Sequence, residues 1–146
     1  MPFVTLSTPA DAFEGFWISN LPGNDLSAAA TNGRPTLVIP HIGRFTLQEY
    51  LSLQFDDPVF QRYNLIALEL PGWPGTHAPL LRQQADKYDE WVAAAVIGDF
   101  CLTMNLTDVH FLGITGWAGK VIPRLAALFP SITKSIANSC VIADAW

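Results

Sequence analysis

Four short apolar runs, at residues 36–39, 64–70, 109–112 and 136–143, constrain this chain more than anything else in it. Runs this brief, ended by proline, glycine or polar residues, read as strands buried on both faces. Between them lie stretches with helical spacing, at 46–54, 86–104 and 117–129. Strands that alternate with helices pair in parallel through right-handed crossovers, with helices on the sheet faces. The expected fold is α/β, a three-layer sandwich around a mostly parallel sheet. Residues 3–7 read as an added short edge strand, and the Gly-, Asn-, Ser- and Ala-rich residues 19–35 as a loop.

The bulk numbers bound the class. The chain has 146 residues, enough for one domain over 1–146 with a sizeable core. Half of them are hydrophobic, 14% are charged, and the net charge is −5. That balance disfavours nucleic acid, which needs a basic patch. No stretch has the ~18 apolar residues of a membrane span. No basic n-region precedes an apolar core at the N-terminus. The expectation is a soluble cytoplasmic protein with no membrane partner. Cys101 and Cys140 are isolated and read as buried free thiols. His41, His77 and His110 lie in unrelated segments, so no metal or cofactor is implied.

Local signals refine the elements. Pro40 is expected to end the strand over 36–39, and Phe45, Tyr50 and Leu53 to join the core. Residues 71–75, Pro-Gly-Trp-Pro-Gly, read as a tight turn. In the helix over 86–104, Tyr88, Trp91, Ala94, Ala95, Val96, Cys101 and Met104 share one broad side, and Asn105 caps the end. Pro123 falls inside the last helix and is expected to kink it, at roughly 3 kcal/mol.

The chemistry, if any, centres on Val109 through Gly119: a strand, a Gly-rich turn and a helix. Such a turn can hold one side chain, or a row of backbone N–H groups, at the mouth of a site. No serine or cysteine stands in it. Thr115 is the candidate nucleophile if the turn is counted from the strand. Counted back from Phe129-Pro130, Gly116 takes that position and has no side chain to react. Thr115 as a turn or helix-capping residue is the plainer reading. The same residues fit G-x-T-G-x-x-G, similar to the dinucleotide-binding turn of short-chain dehydrogenases. The acidic residue that turn needs about 20 positions on is missing.

Taken in order, three segments resemble the N-terminal half of the α/β-hydrolase fold family. They are residues 35–43 (PTLVIPHIG), 64–75 (NLIALELPGWPG) and 109–130. The resemblance implies an ester or acyl hydrolase acting on a small-molecule ester-like substrate. His41, Ile42 and Gly43 would form the oxyanion loop, and Gly116 and Trp117 would supply N–H groups at the helix start. The nucleophile position is degenerate. The later strands that carry the family's acid and histidine have no counterpart, so the resemblance implies a shortened hydrolase with weak or no turnover. Glu69 stands where the family has a structural Asp. Neither it nor Asp144 reads as catalytic. The alternative is a pseudoenzyme, a binding or partner module whose open sheet edge is covered by a homodimer mate or a second chain. Trp73 and Trp117 can line a pocket, although packing is the commoner fate of a tryptophan.

Overall fold

Strands β1 (Phe3–Ser7), β2 (Ala12–Ser19), β3 (Thr36–His41), β4 (Asn64–Glu69), β5 (Val109–Gly113) and β6 (Thr133–Asn138) form one sheet in the order β1-β2-β4-β3-β5-β6. The computed structural model describes residues 2–41, 55–72, 87–114 and 116–139. Pairing is parallel from β4 through β6 and antiparallel where β2 meets β1 and β4. The mostly parallel α/β sheet expected from the sequence is therefore present.

Side-chain alternation sorts the core into two faces. Val38, Ile66, Leu68, Val109 and Phe111 pack toward helices α1 (Glu90–Thr103) and α2 (Gly116–Leu128). Leu37, Ile39 and Leu65 pack on the opposite face with Phe55, Phe60 and Tyr63. All six residues of β4 are buried, as an apolar run buried on both sides requires. Each fully buried Leu, Ile or Phe contributes about 1.5–3 kcal/mol.

Strand β2 was not anticipated, and the loop read over 19–35 is shorter. Two 3-10 turns, Pro22–Asn24 and Leu26–Ala30, occupy much of it. β2 is not a continuous apolar run. It alternates, burying Phe13, Gly15, Trp17 and Ser19 and turning Ala12 and Glu14 outward. Gly15 is needed there because a Cβ would lie 2.7 Å from Leu6 Cδ1.

Two asparagines tie this region to the sheet. Asn20 accepts from Leu65 N at 2.9 Å and donates to Tyr63 O at 3.0 Å. Buried Asn64 donates to Arg34 O and Ala29 O at 3.0 and 3.2 Å, so the loop before β3 closes on the start of β4.

Pro40 does not end β3, which continues to His41 in register with Glu69. The β3–β5 ladder covers only Leu37 and Val38, leaving room beyond it for a residue without an N–H.

Helix α1 is shorter than the spacing suggested. Asp89 caps it, accepting from Trp91 N and Val92 N at 2.9 Å. Asn105, in the left-handed region at φ 54°, closes it as expected. Leu106 N donates to Cys101 O and Asn105 N to Leu102 O, which gives the last carbonyls their donors. Trp91 is not core: it is 50% exposed and lies under the Arg124 guanidinium, 5.3 Å from its ring centre. Cys101 is a buried free thiol, and Cys140 lies outside the described residues.

Helix α2 runs as one helix through Pro123. The ring faces solvent, and the residue one turn back is Gly119, whose backbone has the latitude to accommodate it. β6 begins at Thr133 rather than at 136 because it is an exposed edge and opens on polar residues, Thr-Lys-Ser.

Candidate functional site

The strand order marks a candidate site without help from any motif. β4 lies on one side of β3 and β5 on the other, so the winding direction reverses at β3. The next strands in sequence, β4 after β3 and β6 after β5, lie on opposite sides of the β3–β5 pair, and open α/β sheets bind ligands at such a point.

The carboxyl ends of those two strands carry several of the residues picked from the sequence. Val38 is level with Phe111, and three residues further on His41 and Ile114 reach the same end of the sheet. Glu69 is buried there, between Phe16 of β2 and His41 of β3 in the ladder. Gly116 opens α2 and is exposed, while Trp117 behind it is half-buried. Thr115, Ile42, Gly43, Trp73, His77 and Asp144 lie outside the described residues, as do the core candidates Phe45, Tyr50 and Leu53.

Gly113 shows why the turn needs glycine. A Cβ there would collide with Asn138 Oδ1 and stand 3.1 Å from Ala118 Cβ and 3.2 Å from Ile122 Cγ1. The strand end is thus pressed against the first turns of α2. Ser139 N donates to Gly113 O at 2.8 Å and carries β6 past the same corner. No acidic side chain occupies the first turn of α2, so the positive end of its dipole is not offset from within the helix.

Trp117 packs rather than standing free. Its ring stacks on Tyr88 with centroids 6.2 Å apart, and Tyr88 meets Phe13 edge-on at 5.3 Å. Helical spacing marks Tyr88 only as a helix-face core residue. Nothing in its local spacing indicates a contact with the turn region some thirty positions away.

His110 is not at this end. It sits low on β5, bonded through Nδ1 to Ser135 Oγ at 2.7 Å and edge-on to Tyr63. That agrees with its reading as a packing residue. A groove of about 460 Å³ opens at the amino ends of the parallel strands, and one of about 410 Å³ between Trp17, the 3-10 turns and the end of α1. The larger is lined by Arg34, Asp108, His110 and Lys134, with Lys134 and Asp108 paired at 3.4 Å. Both lie away from the carboxyl ends of β3 and β5, the point that topology favours as the candidate site. Among the described residues, no three His, Cys, Asp or Glu side chains gather as a metal site would require. No helix among them is long and apolar enough to cross a membrane.

Comparison with known proteins gives the class of fold. No family model and no curated protein matches the sequence. Solved structures do match. A predicted CIB-like hydrolase from Thermoplasma acidophilum superposes with a TM-score of 0.69 at 15% identity, over 97% of this chain and 64% of its own. A thermophilic esterase from Thermogutta terrifontis gives 0.66 at 10% identity, over 94% and 45%. An N-acyl homoserine lactonase gives 0.63 at 15% identity, over 94% and 45%. The chain has the α/β-hydrolase fold, as the resemblance implied. It spans about half to two thirds of the length of these neighbours.

Proposed function

We propose that the chain is a hydrolase-like module whose candidate site takes a small ester-like or acyl ligand and turns it over slowly or not at all. The observation that carries this is the meeting of the β3 end, the β5 end and the start of α2 at the point where the sheet reverses its winding. Several structural neighbours are named as an esterase or a lactonase, enzymes that act on acyl–oxygen bonds, which supports the ligand class. In this reading His41, Ile42 and Gly43 form the oxyanion loop. Gly116 and Trp117 place N–H groups near the developing charge. Thr115 is the only candidate nucleophile, and its hydroxyl needs a base that the matching segments do not supply.

The test is hydrolysis of p-nitrophenyl butyrate by the purified chain and by Thr115→Ala. Turnover lost in the variant supports a threonine nucleophile. Turnover that persists removes Thr115 from the mechanism. Absence of turnover in both, with butyrate still bound, identifies a pseudoenzyme. Stabilisation by NAD instead of butyrate favours the dinucleotide reading of Gly113–Gly119.

A second reading draws on β6. None of its residues is fully buried, and Ile136 is 42% exposed. A sheet edge of this kind pairs readily with another strand. Covered by a second copy or a second chain, it makes the module a partner-binding one. Solution mass by light scattering, compared between the chain and an Ile136→Lys variant, tests this. A monomer in both removes the homodimer.

A further inference from the structure

The groove of about 460 Å³ at the amino ends of the parallel strands has a charge balance opposite to that of the chain. The sequence holds 8 Lys and Arg against 13 Asp and Glu. Arg34 and Lys134 line the groove, against Asp108 as the one carboxylate among its described lining residues. Arg34 lies in the loop before β3. Its Nη1 donates to Gln61 O at 3.3 Å, which orients the guanidinium and leaves its other N–H groups to spare. No carboxylate among the described residues pairs with it.

Lys134 is the extra residue of a bulge, where the ladder passes from Val109–Thr133 to His110–Ser135. Bulges re-aim side chains, and Lys134 and His110 both line the groove. The Lys134–Asp108 pair is 3.4 Å long and exposed on both sides, so it holds the ammonium weakly. His110 Nδ1 is bonded to Ser135 Oγ, and Nε2 is the polar ring atom left over. The non-glycine residues at positive φ among those described are Asn24, Asn105 and Asp108, and each lines this groove or the one of about 410 Å³. Asn105 closes α1, and Asn24 Oδ1 accepts from Ser19 N, but Asp108 has no such local role. Sparsely populated backbone conformations collect at ligand sites.

The two grooves adjoin, since Ala30 and Asn105 line both. The second presents Trp17, Leu26 and Met104. A guanidinium, an ammonium and an imidazole in one groove suit a dianion with several acceptor oxygens. Apolar side chains next to them suit an organic group attached to that dianion. We propose that this pair of grooves is a second ligand site, which holds the phosphate of a small phosphate monoester on Arg34, Lys134 and His110 and its organic group beside Trp17, Leu26 and Met104. The proposal is independent of the acyl-ligand reading, whose residues stand at the other end of the sheet.

Calorimetric titration of the whole chain with phenyl phosphate and with inorganic phosphate tests this. The expected result is saturable binding of phenyl phosphate, weaker binding of inorganic phosphate, and an affinity for phenyl phosphate lowered about tenfold or more by Arg34→Gln. Lys134→Gln lowers it less. Asp108→Asn raises it, because it frees Lys134 and keeps a residue that tolerates positive φ. Lys87→Gln, the same charge change outside both grooves, leaves it unaltered. Thermal midpoints establish that each variant is folded. Three outcomes overturn the proposal: no saturable binding of phenyl phosphate at millimolar concentration, inorganic phosphate bound as tightly, or the same loss from Lys87→Gln as from Arg34→Gln. Hydrolysis of p-nitrophenyl butyrate has no part in the readout, so failure of the hydrolase reading leaves this one standing.

Discussion

Asn32 and Asn64 exchange side-chain hydrogen bonds in both directions: Asn32 Nδ2 donates to Asn64 Oδ1 at 2.6 Å, and Asn64 Nδ2 donates to Asn32 Oδ1 at 3.1 Å. Asn64 is fully buried and also serves the carbonyls of Ala29 and Arg34. Asn64→Leu keeps the branched side-chain shape and removes the donors, leaving buried acceptors unmatched. We expect a loss of about 2–3 kcal/mol, read as a lower urea midpoint. A loss under 0.5 kcal/mol would mean that water replaces the amide there.

Gly98 of α1 faces the Phe129 ring so closely that a Cβ would overlap it. Gly98→Ala gains about 0.5–1 kcal/mol of helix preference and loses about 1–3 kcal/mol to overpacking. The expected net is destabilisation by about 1 kcal/mol. In a Phe129→Ala background the same change should become stabilising. An unchanged sign across the two backgrounds would show that Phe129 is not what excludes the methyl group.

Pro123 is exposed in the interior of α2. Pro123→Ala restores a backbone donor and removes a ring, at the expense of a freer unfolded chain. The balance is a gain of about 2 kcal/mol, read as a higher thermal midpoint. A midpoint unchanged or lower would place the gain from the ring in the native state.

Burial raises the Cys101 thiol well above its ordinary value. The unfolded chain then loses this proton near pH 9 while the folded chain keeps it. Above that point the unfolded state binds fewer protons, so stability falls as pH rises, by up to about 1.4 kcal/mol per pH unit for one group. Below pH 8 the group contributes no slope. Urea midpoints from pH 8 to 10.5, compared with Cys101→Ala, isolate the effect. Parallel curves for the two proteins would refute it.

Much of the architecture is readable because β4 is buried over its whole length and Leu37–Ile39 of β3 are buried on both faces, while β5 keeps Val109 and Phe111 in the core. β2 escaped notice because only alternate residues face the core, and Gly15, which makes way for Leu6, breaks even that alternation. The start of β6 was placed too late because its first residues are solvated. The candidate site residues come from the resemblance and from the turn after β5; parallel strands carry their carboxyl ends to one edge of the sheet, which is why the described ones, His41 and Gly116, stand at the same end. The aromatic bridge from Phe13 through Tyr88 to Trp117 is not legible, since it joins three elements distant in sequence and depends on their packing.

The place of β5 beside β3, rather than beside β4, also bears on how the chain is made. During synthesis β3 and β4 emerge early, yet one flank of β3 has no neighbour until Val109–Gly113 leaves the ribosome. A nascent chain with its middle strand open on one side is a target for holding chaperones, and a candidate for mispairing when translation stalls between β4 and β5.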